Sequence, residues 1–547
     1  MVLNHFAESI SPTDNKLMNP RILASTLRWF GFLSFTAILL PGLAMAQNYP
    51  GTGEDFTLAT GINSSACTTG AGQDVKVAGA GDSLYVCLDS PGGTFSGSPV
   101  ALAANVLPAG SPLSGQPSNL WLDLSNNFYR LGLKGALPAA GWTIQLQIPS
   151  SLPGRQIILQ SALRNSTALN GRFALSEAHV IKVLPTGIVM QPIMGSTFTM
   201  GDNNLRGPQA GQATEHQVTL SDYELGETEV TNAQYAEFLN DAIAAGLISV
   251  EIGTNPPDVG KNLVVGTAIS SYSGKVLYNL DGTRVMKDHD NADGDSHPFT
   301  GTVEPENPLN ISFVGYDSSA GASQNPFYVK NPFSPSDFDW YTLCDYYNYT
   351  SVPFQLDTSV LLNDFSAWPE LAGWTAANPH LAANLPNHQT VAAYPAGFIR
   401  WWGAQAFAEF YDVQLPTEAQ WEYAGQAGQS YFYYSVYDGA TVTDANWNQL
   451  GIKPALHHVR AARSGQANPF GLYNMGGNVW EWMWDNYLPY GTAAVTDPLI
   501  LTPGSTSRSW RGGSWNYHQA TLESSGRYFD EESHGNDHFG FRIAHSP

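Results

Sequence analysis

The chain has 547 residues, 43% hydrophobic and 12% aromatic, which excludes a disordered polypeptide and is too long for one ordinary core. Lys and Arg number 24 against 47 Asp and Glu, a formal charge of -23. Nucleic acid and anionic membrane surfaces need a basic face, so this balance argues against both and is compatible with cation binding.

The N-terminus reads as an export signal, residues 1–46. Arg21 and Arg28 precede an apolar run, Trp29–Leu40, followed by Pro41, Gly42 and the cleavage pattern Ala44-Met45-Ala46. The run is too short to span a bilayer comfortably, and no later apolar run reaches membrane-spanning length. The polar leader before it points to Met18 as an alternative start. The expected destination is periplasm, cell surface or medium. Of three cysteines, Cys67 and Cys87 are close enough in sequence to form a disulfide after export, while Cys344 reads as a small buried apolar residue.

Residues 48–185 read as an all-β, sandwich-like domain. Trp142–Ile148 alternates apolar and polar residues, then a Pro/Ser/Gly turn leads into Gln156–Leu159. Asp74–Val77 and Ser83–Leu88 predict two further strands around a Gly-rich turn. No catalytic constellation stands in this region, so a binding, spacing or display role is expected.

The pattern changes near Pro185, and residues 186–245 predict strand, loop, strand and helix. Thr231 opens the helix with a capping box completed by Gln234, and Tyr235, Phe238 and Leu239 share one face. A second helix opens in the same way at Thr417 with Gln420, and a third, more apolar one is predicted over Ala396–Tyr411. Residues of about 246–385 are rich in Asn, Pro, Gly and Ser with weak periodicity and read as an insertion. Within it, Asp288–Asp295 looks like a calcium loop, but aligned on Gly294 it misplaces His289 and Asn291 and lacks the final Glu, so it reads as a solvated turn.

The densest chemistry lies in Asn468–Asp485, NPFGLYNMGGNVWEWMWD. Its three tryptophans make an apolar run in which the oxygens of Asn474, Asn478 and Glu481 need partners. Two readings follow from the residues: a hard cation on a glycine-kinked backbone, or a core segment whose Glu is held by an Arg. His457 and His458, being adjacent, cannot put both rings on one strand face; His518, His534 and His538 read as scattered histidines that could converge. Nucleophile-elbow, zincin, P-loop and dinucleotide-binding patterns are absent from the sequence.

Six segments in order complete the picture: Ser196–Gly201, Gly226–Tyr235, Leu415–Ala424, Asn468–Asp485, Arg511–Trp515 and Gly540–Ile543. Together they resemble the formylglycine-generating enzyme, or sulfatase-modifying factor, family over residues 188–547. The resemblance implies an α+β fold, an irregular variant of the C-type lectin fold. It implies calcium held by Asn474, the carbonyls of Gly477 and Val479, and Glu481. A second calcium site would begin at Asn446 and the carbonyl of Trp447, but no acidic residue stands between Trp447 and His458 to supply its aspartate. The family's oxidase holds copper on two cysteines, and Tyr517 and Leu522 stand at those positions, with no cysteine beyond Cys344. The copper-dependent reaction is therefore not expected.

The expected function is an exported, calcium-stabilised binding or scaffold module whose ligand is a protein, peptide or glycan. Its ligand face would be Asn516–His538 with Trp515, including Asn516, Tyr517, His518, Arg527 and Tyr528, and without catalytic residues. The alternative is an enzyme of the same family performing protein oxidation or another metal-dependent oxidation, with Tyr517, His518 and a metal on His534 or His538. Arg511, Glu481 and Arg527 have a competing structural role as buried ion pairs.

Overall fold

The computed structural model describes residues 51–64, 66–69, 75–109, 122, 128–131, 136–203, 213–256, 258–282, 312–330, 391–428, 459–514, 519–536 and 538–546. The export signal, the Asp288–Asp295 loop, Cys344, Asn446, Trp447, His457, His458 and Trp515–His518 lie outside these residues. Contacts divide the chain into two units, Met1–Gly187 and Ile188–Pro547. Both are built mostly from strands, with few helices.

The first unit contains β1 (Thr57–Ile62), β2 (Val75–Ala78), β3 (Ser83–Asp89), β4 (Val100–Pro108), β5 (Phe128–Arg130), β6 (Trp142–Gln147), β7 (Arg155–Arg164) and β8 (Phe173–Val183). They form a three-stranded sheet, β1-β3-β6, and a five-stranded sheet, β2-β8-β7-β4-β5. Leu84, Val86 and Leu88 alternate inward from β3 and share one core with Leu102, Ile157 and Ile181 of the larger sheet. Cys67 and Cys87 are joined by a disulfide that ties the 66–69 segment to β3. β7 extends beyond Gln156–Leu159 because its even- and odd-numbered residues are both covered, which removes the alternation that marks a strand in sequence.

The second unit begins with β9 (Met190–Ile193), β10 (Thr197–Met200), β11 (His216–Thr219) and β12 (Tyr223–Gly226), then α1 (Asn232–Ala244). Thr231 and Gln234 form the expected reciprocal cap of α1. Part of the segment read as irregular is regular: β13 (Ile248–Ile252), β14 (Asn262–Gly266) and β15 (Val276–Asn279) make an antiparallel sheet, and β16 (Val314–Tyr316) pairs with β17 (Phe327–Val329). Short strands between Gly- and Asn-rich turns leave too few residues for a visible period.

α2 spans Trp401–Tyr411 and α3 spans Glu418–Gln426, the latter capped by Thr417 and Gln420. The helix predicted from Ala396 therefore starts five residues later. Phe398 has φ 61° and Ile399 bridges Tyr278, so the chain at 396–400 runs as a strained connection. Tyr235 and Phe238 of α1 pack on Phe407 of α2, and Tyr235 and Phe407 pack on Phe541, a ring cluster that anchors both helices beside the C-terminal segment. The chain closes with β18 (Trp480–Asn486), β19 (Val495–Thr496), β20 (Ser507–Arg511), β21 (Tyr528–Glu531), β22 (Phe539–Gly540) and β23 (Ala544–His545). Four of these form the sheet β21-β20-β18-β22. Among the described residues, no helix is long and apolar enough to cross a membrane.

Thr417→Ala removes the hydroxyl that accepts the Gln420 N–H. A loss of about 1 kcal/mol in unfolding free energy is expected, read from urea denaturation.

Candidate functional site

The sheet β21-β20-β18-β22 separates two kinds of chemistry. In β18 the side chains alternate, and its register with β20 sets Trp482 against Trp510 and Glu481 against Arg511. Trp480, Trp482, Trp510, Tyr528 and Phe539 therefore gather on one face. Trp480 lies 4.6 Å from Trp510 and 4.9 Å from Tyr528 between ring centroids, and Trp510 lies 4.3 Å from Phe539. Tyr528 is the half-buried member, and His538 packs its ring on Phe539.

The other face is ionic. Arg542 clasps Glu481 with Nε to Oε2 at 2.6 Å and Nη2 to Oε1 at 2.7 Å, and the Trp421 indole donates to Oε2 at 2.8 Å. Arg511 donates to Glu418 at 3.1 Å and to Glu422 at 3.0 Å, while Arg527 donates through Nε to Glu418 at 3.0 Å. Glu418 and Glu422 are one helical turn apart on α3, so both point at Arg511. All six of these charged side chains are buried. Burial alone would raise the Glu418 carboxyl, but Arg527 and Arg511 outweigh it and hold it below the usual carboxylate range. Asp485 behaves oppositely. It accepts the Glu418 and Ile500 N–H groups, and burial, with the Glu418 charge adding, pushes its carboxyl up to about 7.

The sequence placed Arg527 on a ligand face; the structure puts it inside, stacked between Tyr487 and Tyr490 at 4.3 and 3.9 Å. A guanidinium beside a buried carboxylate cannot be spared to solvent without stranding that charge. Leu522 is fully buried, and it sits so close to Gly513 that a Cβ there would meet Leu522 Cδ2 at 2.8 Å.

At the other end of β18, Asn474, Gly477 and Asn478 all have positive φ, which curls the loop around Glu229. Asn474 donates to Glu229 Oε2 at 3.1 Å and to the Ala462 carbonyl at 2.8 Å, and Asn478 donates to Glu229 Oε1 at 2.9 Å. Glu229 is wholly buried, and its carboxyl is pushed up to about 8 by burial, with Arg542 opposing and Glu481 adding. Two carboxylates thus share one arginine. For a hard cation the donor set is right in kind, oxygen only, but the raised Glu229 carboxyl keeps its proton near neutral pH and Glu481 is already balanced by Arg542, so a cation would have to displace that proton. Glu481 is nonetheless committed to Arg542 and Trp421, as in the reading of an Arg-held Glu. Among the described residues, no group of three or more His, Cys, Asp or Glu side chains converges as a metal site.

Sequence reasoning missed Glu229, Glu418, Glu422 and Trp421. The i,i+4 pair of glutamates opening α3 was a visible signal; Glu229 carried none, because its partners lie 245 and 249 residues away.

Arg542→Met leaves Glu481 buried without its counter-charge, and a loss of about 3–5 kcal/mol is expected in urea denaturation. The double variant Glu481→Met, Arg542→Met is expected to recover most of it. Between pH 3.8 and about 7 the folded protein keeps a proton on Asp485 that the unfolded chain has released. Stability from this group therefore falls as pH rises through that window, and Asp485→Asn is expected to flatten the thermal midpoint against pH there.

Residues 183–547 match the sulfatase-modifying factor enzyme 1-like domain. Over 147 residues the chain is 33% identical to a formylglycine-generating enzyme of Streptomyces coelicolor, covering 25% of this chain and 44% of that protein. Over 156 residues it is 31% identical to the serine/threonine-protein kinase pkn1 of Chlamydia caviae, covering 28% of this chain and 24% of that one. The chain thus spans less than half the length of these curated relatives. Among solved structures, PvdO from Pseudomonas aeruginosa aligns over 65% of this chain and 94% of its own, at 14% identity and a TM-score of 0.35. The domain match covers most of the chain, and the protein belongs to the sulfatase-modifying factor, or formylglycine-generating enzyme-like, family.

Proposed function

We propose that this protein is an exported, non-oxidase member of its family. In this reading its C-terminal domain, a C-type-lectin-like variant, acts as a calcium-stabilised binding or scaffold module joined in sequence to an N-terminal β-sandwich. The observation that carries the proposal is the state of Leu522. At a position matching a family cysteine the chain has an apolar side chain, buried against Gly513, and no cysteine follows Cys344 in the sequence. A copper-thiolate reaction has no thiolate to use. The disulfide Cys67–Cys87 supports export, since such bonds persist in oxidising compartments.

Calcium would be held by Asn474, the carbonyls of Gly477 and Val479, and the lone pairs that Glu481 keeps free of Arg542. Its chemistry would be structural, tying the loop oxygens to Glu481 and displacing the proton that burial keeps on Glu229. The second site, at Asn446 and Trp447, lacks an acidic ligand before His458 and is the weaker of the two. The ligand face would combine Trp515, Asn516, Tyr517 and His518 with Tyr528 at the margin of the aromatic cluster. A metal-dependent oxidation is the second reading. It is favoured by His534, whose Nδ1 is held by Asp530 at 2.6 Å, an arrangement that fixes an imidazole for work at Nε2.

Incubation with a Cys-x-Pro-x-Arg peptide and copper is expected to leave the cysteine mass unchanged; conversion to formylglycine would overturn the non-oxidase reading. Calcium titration after chelation is expected to raise the thermal midpoint of the wild type and not of Asn474→Ala. A midpoint insensitive to calcium would remove the calcium claim.

A further inference from the structure

Five arginines of the second unit are withdrawn from its surface, while Arg463 stays exposed. Arg400, Arg508, Arg511, Arg527 and Arg542 are all buried, engaged with Asp258, Glu532, Glu418, Glu422 and Glu481. Their charge is matched by interior carboxylates, so these five arginines are not available to offset acidic groups on the surface.

On the ionic side of the sheet, one end of this buried system reaches solvent. Tyr490, Arg527, Tyr487 and Phe529 stack in a column: the guanidinium lies between the two tyrosine rings, and Phe529 covers Tyr487 at 4.7 Å with the planes 30° apart. Phe529 ends the column and is 46% exposed, beside Leu488, which is 39% exposed. Glu531 stands two residues along β21, on the same strand face, and accepts the Thr506 hydroxyl.

The column already contains an arginine stacked on a ring, and its outer ring offers a second such surface to solvent with a carboxylate alongside. We propose that Phe529, backed by Tyr487, and Glu531 form a docking surface for a basic segment of a partner protein, with an arginine of that segment lying on Phe529 and paired with Glu531. Stacking and a planar, charge-assisted contact select a guanidinium over an ammonium. Recognition is by side chains and not by addition of a strand to the edge. The Glu531 N–H is taken by Asp530 Oδ1 at 2.7 Å, and its carbonyl accepts the His534 N–H at 2.9 Å. The inference holds whether the domain is a binding module or an enzyme.

The test uses the whole protein and a fluorescein-labelled peptide of alternating Gly and Arg, titrated by anisotropy at physiological salt. Saturable binding is expected, weakened about tenfold by Phe529→Ser and by Glu531→Gln, and weaker for the Gly-Lys peptide. Glu531→Gln changes charge at nearly constant volume and carries the test alone if Phe529→Ser unfolds. Equal binding by wild type and Glu531→Gln would reduce the effect to general charge attraction and overturn the proposal. Absence of peptide binding at millimolar concentration, or capture of a neutral oligosaccharide in its place, would overturn it as well.

Discussion

The clasp of Arg542 on Glu481 is the contact around which the C-terminal domain is organised. Both groups are buried, and neither ion is tolerable there without the other. Glu481 is the second residue of β18, flanked by tryptophans that point the other way. A slip of one residue in strand register would turn the carboxylate into the aromatic cluster and the indoles toward Arg511 and Arg542. The charge pair thus specifies register where a run of large apolar side chains alone would accept several.

From that register the rest of the interior follows. Arg511 is brought against α3, where Glu418 and Glu422 wait one turn apart, and Glu418 in turn holds Arg527 beneath two tyrosines. Arg542 also donates to the carbonyls of Gly226 and Tyr473, so one side chain joins the entry to α1, the loop before β18 and the C-terminal segment. An irregular fold with short strands has few ladder hydrogen bonds to hold it, and these charge-assisted contacts replace them.

Scaffold and chemistry separate in the same region. The side chains that hold the sheet together are the buried ion pairs that stood as the competing structural role of Glu481, Arg511 and Arg527, and Leu522 is an apolar side chain buried against Gly513. Family membership therefore speaks to architecture, and activity has to be argued from the site itself.

Local signals were legible in the sequence: the caps at Thr231 and Thr417, the alternation in β3 and β6, and the turn glycines each depend on residues within a few positions of one another. The late start of α2 was not, because Ala396–Arg400 continues an apolar run and is held out of the helix by the Ile399–Tyr278 bridge and the left-handed Phe398. Nor was the burial of Arg527, which depends on Glu418, 109 residues earlier, or the role of Glu229, which depends on two asparagines far along the chain. By itself the sequence determined composition, charge, family and the elements with a cap or a clear period, but not the short strands β13–β17. Only the tertiary structure decided which carboxylate meets which arginine, since pairing of buried charges is a property of three-dimensional proximity and leaves no period in the chain.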